Sequence, residues 1–188
     1  TAVGHGALYT NTADNNTAVG RSALYANTTG TNNVAVGSNA GDAVTTGDDN
    51  TAIGDNALGA STTASDNTAV GSQAFVANTS GEAGVAVGTN ALTANTTGIR
   101  NTAVGYNALT ANTTAAYNTA LGFVALSATT TGERNTALGY ASLENCTGSR
   151  NLAVGMFSGT ALTSGNDNTL LGYLAGNAAI TGAGNTAV

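Results

Sequence analysis

Residues 101–117 read Asn-Thr-Ala-Val-Gly-Tyr-Asn-Ala-Leu-Thr-Ala-Asn-Thr-Thr-Ala-Ala-Tyr, and at Asn118 the chain starts again with Asn-Thr-Ala-Leu-Gly. The glycine of this unit returns at Gly4, Gly20, Gly37, Gly54, Gly71, Gly88, Gly105, Gly122, Gly139, Gly155 and Gly172. Every step is seventeen residues except two of sixteen, Gly4 to Gly20 and Gly139 to Gly155. A fixed period of this length indicates a stack of identical structural units. Residues 1–188 therefore form one repeat array. The chain opens and closes in mid-repeat, and stacked arrays usually carry atypical capping units, so a window of a longer fibre is expected. A repeated surface also offers no single place where different reactive groups converge, which argues against an enzyme.

With the repeat numbered 1 to 17 from Asn101, each position shows what it tolerates. Position 4 is always Val, Ile or Leu, which reads as buried. Position 2 is mostly Thr, but Val34, Val85 and Leu152 replace it in three copies. Positions 2 and 4 then face one way and position 3 the other, the alternation of a β-strand. Position 3 is alanine except at Leu170, which predicts close approach of another surface, such as a second chain. Position 5 is always glycine, so the backbone takes a left-handed φ there or has no room for a Cβ. Position 1 is Asn or, once, Gly84, which suggests a left-handed corner with asparagines bonded along the stack. Ala-Leu at positions 8 and 9 predicts a second short strand, and Asn-Thr-Thr-Gly at 12 to 15 a polar turn. The expected fold is all-β, a parallel β-solenoid of about eleven coils with one repeat per coil.

Composition supports a thin coil. The chain has 26 glycines, no proline or tryptophan, and only 7% charged residues. Low charge argues against ordinary disorder. One Val and one Leu per coil bury little apolar surface against the entropy of ordering seventeen residues, so association between chains is expected. Residues 1–99 carry seven acidic side chains against Arg21, whereas residues 100–188 carry three acidic side chains and three arginines. Neither half offers a basic footprint for nucleic acid. No apolar run reaches the ~20 residues of a membrane-spanning helix.

The stretches Asn33-Val-Ala-Val-Gly37 and Asn101-Thr-Ala-Val-Gly105, with their copies, resemble the head repeats of YadA-like trimeric autotransporter adhesins, whose motif is Asn-Ser-Val-Ala-Ile-Gly. Units of the form Asn-Thr-Ala-x-Gly-Tyr-x-Ala-Leu are similar to repeats of phage tail fibres and large bacterial surface proteins. The resemblance covers the whole chain. It implies a left-handed parallel β-roll, a homotrimer, an extracellular place on a cell surface or virion, and a host glycan or matrix as partner.

Candidate sites are few. Position 6 changes from His5, Arg21, Ser38, Asp55, Ser72 and Thr89 to Tyr106, Phe123, Tyr140, Met156 and Tyr173. Tyr106, Phe123, Tyr140 and Tyr173 read as a strip that stacks on sugars or, the favoured reading, as a ladder of rings packed on one another. Arg100, Arg134 and Arg150 share position 17 with Asp49, Asp66 and Asp167. They suit acidic sugars, or form a solvated turn. The Asp-Asn pairs lack a calcium loop, and His5 has no second metal ligand, so no metal, cofactor or catalytic group is expected. Cys146 aligns with Thr96 as a small turn residue. Asn27, Asn78, Asn95, Asn112 and Asn145 fall in glycosylation sequons that turn chemistry also explains.

The leading functional expectation is a structural and adhesive fibre segment. An ice-binding solenoid is the alternative, weakened because positions 10 to 14 vary and so carry no full-length threonine grid. A β-helical transferase would need an edge histidine and a cofactor cleft.

Overall fold

The computed structural model describes residues 1–177 and 182–188. Its elements are twelve strands: β1 (Ala2–Val3), β2 (Thr17–Val19), β3 (Val34–Val36), β4 (Thr51–Ile53), β5 (Thr68–Val70), β6 (Val85–Val87), β7 (Thr102–Val104), β8 (Thr119–Leu121), β9 (Thr136–Leu138), β10 (Leu152–Val154), β11 (Thr169–Leu171) and β12 (Thr186–Ala187). They form one parallel sheet in chain order, with each repeat position paired to itself one coil on, as in Ala103 to Ala120. The architecture is the expected β-solenoid.

Three-residue strands suffice because hydrogen bonding continues around the coil. Leu109 N–H donates to the Ala125 carbonyl at 3.0 Å and Ala111 N–H to Ser127 at 3.1 Å, although neither donor lies in a strand. Position 5 needs glycine on both counts: φ at Gly71 is +132°, and a Cβ there would stand 2.6 Å from the carbonyl of Gly88.

The two faces of the strand are opposite to the sequence expectation. The position 3 alanines are the interior: Ala103 and Ala120 are fully buried inside their own chain. Position 4 points out, with Val19, Val36, Ile53, Leu121, Leu138 and Leu171 between 36% and 45% exposed. The far wall decides this. Leu24, Leu58, Leu92, Leu109, Leu126 and Leu143 at position 9 turn inward and join the alanines of positions 3 and 8 in one core. A leucine reaching across a narrow coil leaves room only for a methyl group opposite.

That far wall is not a second strand. Positions 7 and 9 both take left-handed φ, as at Asn107 (54°) and Leu109 (51°), and the segment is a run of turns. A leucine held there costs ~1–2 kcal/mol of backbone strain. Burial of its side chain, about 1.5–3 kcal/mol, offsets this.

The asparagine corner also differs in detail. The left-handed residue is position 17, for example Arg100 (55°), Tyr117 (62°) and Arg134 (58°). From Asn16 to Asn168 the position 1 asparagines are buried and form the expected ladder. Asn118 Oδ1 accepts the Asn135 N–H at 2.9 Å, and its Nδ2 donates to the Gly132 carbonyl at 2.8 Å. Gly84 is not left-handed either. It stands where the Phe75 ring, in place of the usual leucine, fills the asparagine's space.

Core volume is conserved by such exchanges. Gly41 and Gly159 replace the position 9 leucine, and Val44 and Leu162 then replace the buried polar residue of position 12. Leu170, the one large residue at position 3, packs beside Gly159, whose Cβ would lie 2.8 Å from Leu170 Cδ1.

Candidate functional site

The strand face is a continuous uncharged surface. On β2 to β11 positions 2 and 4 flank a buried residue at position 3 and so stand outward on in-register strands. Neither position holds a charged residue in any coil. Position 2 supplies threonines with Val34, Val85 and Leu152, and position 4 supplies only Val, Ile and Leu. No enclosed cavity lies among the described residues.

At position 6 the structure brings three of the four predicted aromatic residues into one stack. The ring centroids of Tyr106 and Phe123 are 5.2 Å apart with planes 16° from parallel. Phe123 and Tyr140 repeat that spacing at 3°. Tyr140 then meets Phe157 edge-on at 5.2 Å. Tyr173 is separated from Tyr140 by Met156 and is 65% exposed. The ladder form is therefore present, and both faces of Phe123 are covered by its neighbours. Tyr106, at the end of the ladder, has a ring on one face only, the preceding position 6 residue being Thr89.

Position 17 carries a second cluster that the sequence reading divided. Arg100 Nη1 donates to the Tyr117 hydroxyl at 2.9 Å, and the guanidinium carbons of Arg100 and Arg134 lie 5.7 and 5.5 Å from the Tyr117 ring centre. Tyr117 was missed because it is the only aromatic residue in its column. Arg150 grips Asp167 through Nε and Nη2 at 2.6 and 2.8 Å, which holds the Asp167 carboxyl below its usual range. Arg134 also lies 3.5 Å from Glu133. These cations are engaged within the chain, on its exposed edge.

Other candidates resolve by burial. Cys146 does not align with Thr96. Its N–H donates to the Leu143 carbonyl as that of Asn95 does to Leu92, so it occupies the inward position 12, and the one-residue deletion follows it. It is fully buried, and burial pushes its thiol pKa up. The sequon residues Asn27, Asn78, Asn95 and Asn112 share that position and are buried, whereas Asn145 is exposed. Among the described residues no cluster of acidic, His or Cys side chains is arranged for a metal.

The structural register also corrects the threonine count. Thr12, Thr28, Thr45, Thr62, Thr79, Thr96, Thr113, Thr130, Thr147 and Thr163 occupy position 13 in ten successive coils. Each stands eight residues after its motif glycine, so the row is present in the sequence although its neighbours vary. Its hydroxyls bond to the next coil, as Thr28 Oγ1 does to the Thr45 carbonyl at 3.0 Å.

Fold and surface together define a parallel β-solenoid repeat protein. Compared with family models, curated proteins and solved structures, the chain matches none of them. Among the described residues no helix is long and apolar enough to cross a membrane.

Proposed function

We propose that this chain is a structural segment of an extracellular fibre, on a cell surface or a virion, that assembles as a homotrimer around its strand faces. The observation that carries the reading is the uncharged, outward strand face. It is about 10 Å wide across the three strand positions and about 50 Å long. The resulting ~500 Å² is more than half of one partner's share of a standard interface, about 800 Å². An exposed apolar patch of that size marks an interaction site. An identical chain is the partner whose period matches at every coil, while an unrelated surface would meet only one or two. With the strands turned inward, the threonine turns face out. The segment performs no chemistry in this reading: it is a spacer whose repeated outer surface turns weak contacts with a glycan or matrix into avidity. The extracellular setting rests on the resemblance of the repeat.

Light scattering on the purified chain tests assembly, and a trimer mass is expected. Val104→Glu with Leu121→Glu should return it to monomer with the strand signal retained. A wild-type chain that stays monomeric and folded at every concentration would refute the reading.

The unbroken threonine row of position 13 favours ice binding as a second reading. Thermal hysteresis of the purified chain tests it, and none is expected if the fibre reading holds.

A further inference from the structure

We infer that the aromatic ladder of Tyr106, Phe123 and Tyr140, continued by Met156, is a contact between copies of this chain, and that it concentrates the tight part of the assembly in the C-terminal half. The inference rests on the self-assembly proposed above and adds where along the fibre the copies hold one another.

The first argument is the geometry of the rings. Sugars stack on aromatic faces, and the central ring has used both of its own: Phe123 has a ring at 5.2 Å on each side, with planes within 16° of parallel. Its outward surface is a ridge of edges, each ring about 45% exposed. Ring edges carry partial positive charge and pack well on apolar side chains or on the faces of other rings. The ridge lies just past the strand ends, beyond Gly105, Gly122 and Gly139, and so borders the uncharged face in coils that already present Val104, Leu121 and Leu138. A second copy carries the same ridge at the same axial step, which allows contact at each of these coils.

The second argument is charge. In the N-terminal half, position 6 holds His5, Arg21, Ser38, Asp55, Ser72 and Thr89, so no apolar ridge exists there. Those coils also hold seven of the chain's ten acidic residues. Copies lying side by side in register repel one another over residues 1–99 and not over residues 100–188, where charges balance. Repulsion between exposed like charges weakens with salt.

The test uses the full chain with Tyr106, Phe123 and Tyr140 each changed to Ser. Serine already occupies position 6 at Ser38 and Ser72, so these coils accept it. Sedimentation equilibrium should show assembly weakened by at least about tenfold in concentration, with unchanged circular dichroism. The reverse change, Thr89→Tyr, adds a ring to the ladder and should tighten assembly. Hydrogen exchange on the wild-type assembly should show stronger slowing on association in residues 100–173 than in 1–99, with the difference narrowing as salt is raised. If the triple variant assembles as tightly as wild type while Val104→Glu with Leu121→Glu disperses it, the ladder is not an interchain contact and the fibre reading stands. Loss of binding on a glycan array with unchanged mass would also overturn the inference, in favour of a sugar site. A wild-type chain that never associates overturns both.

Discussion

The Phe75 ring occupies the space that an asparagine side chain fills in the other coils: a Cβ on Gly84 would stand 2.5 Å from Phe75 Cζ. The two residues are nine apart and belong to successive walls of the solenoid. Gly84 still gives its N–H to Asn67 Oδ1 at 3.0 Å, but it has no side chain to pass the ladder on to Asn101. One extra ring is thus accommodated by removing an amide.

This pair should be strongly coupled. Gly84→Asn alone overpacks the site and should destabilise by about 1–3 kcal/mol. Phe75→Leu alone leaves a gap and an incomplete ladder, at a similar cost. The double variant restores the repeat of the other coils and should be more stable than either single change, with a coupling energy of about 1–3 kcal/mol. Denaturant unfolding of the four proteins measures it. Additive effects would mean that the ring and the amide do not share one space.

The position 3 alanines give a second prediction, revised by their burial. Ala120→Leu should damage the coil itself, at about 1–3 kcal/mol, because Ala120 is fully buried within one chain. Conversely, Leu170→Ala should leave a cavity beside Gly159 and cost about 2–5 kcal/mol. Urea titrations at a concentration low enough to keep the chain monomeric separate this from assembly. An Ala120→Leu chain that unfolds like wild type but no longer associates would place the alanine at an interface after all.

Asn118→Ala removes three bonds from the ladder, two accepted by its Oδ1 from Asn135 N–H and Nδ2 and one donated by its Nδ2. It leaves the Asn135 N–H and the Gly132 carbonyl without their amide partner inside the coil. Each unsatisfied buried group costs about 1–3 kcal/mol. Thermal unfolding should therefore show a large loss for Asn118→Ala. Exposed Asn145→Ala, which removes only a bond to the Thr160 carbonyl, should change little.

Cys146 provides a probe of the whole stack. Its side chain is fully enclosed, and burial raises its thiol pKa, so little thiolate forms at neutral pH. Labelling with an aromatic disulfide reagent should proceed only as fast as the surrounding coils open. Because opening then limits the rate, raising pH into the ordinary cysteine range should speed labelling less than for a free thiol. Rapid labelling of the native chain would show that these coils open independently.

Much of this architecture is legible in one repeat. The seventeen-residue period dictates a stack, the invariant glycine marks a point where successive backbones touch, and alternation from Thr102 to Val104 dictates a strand. The ring ladder also follows from the period, because identical positions stack. Alternation does not say which face is inside, since exchanging the two faces leaves the pattern unchanged. That was decided by Leu109 on the far wall. Its left-handed φ is disfavoured for leucine and therefore invisible to local propensity, yet it turns the side chain inward and leaves only alanine-sized space at Ala103. Placement of Cys146 is settled by its burial and by the turn bond from its N–H to the Leu143 carbonyl three residues back. Local preferences and spacing specify the repeat, while burial and hydrogen bonding between distant walls select among the ways of folding it. Only the tertiary structure therefore turned Val104 and Leu121 outward and made the strand face a surface for assembly.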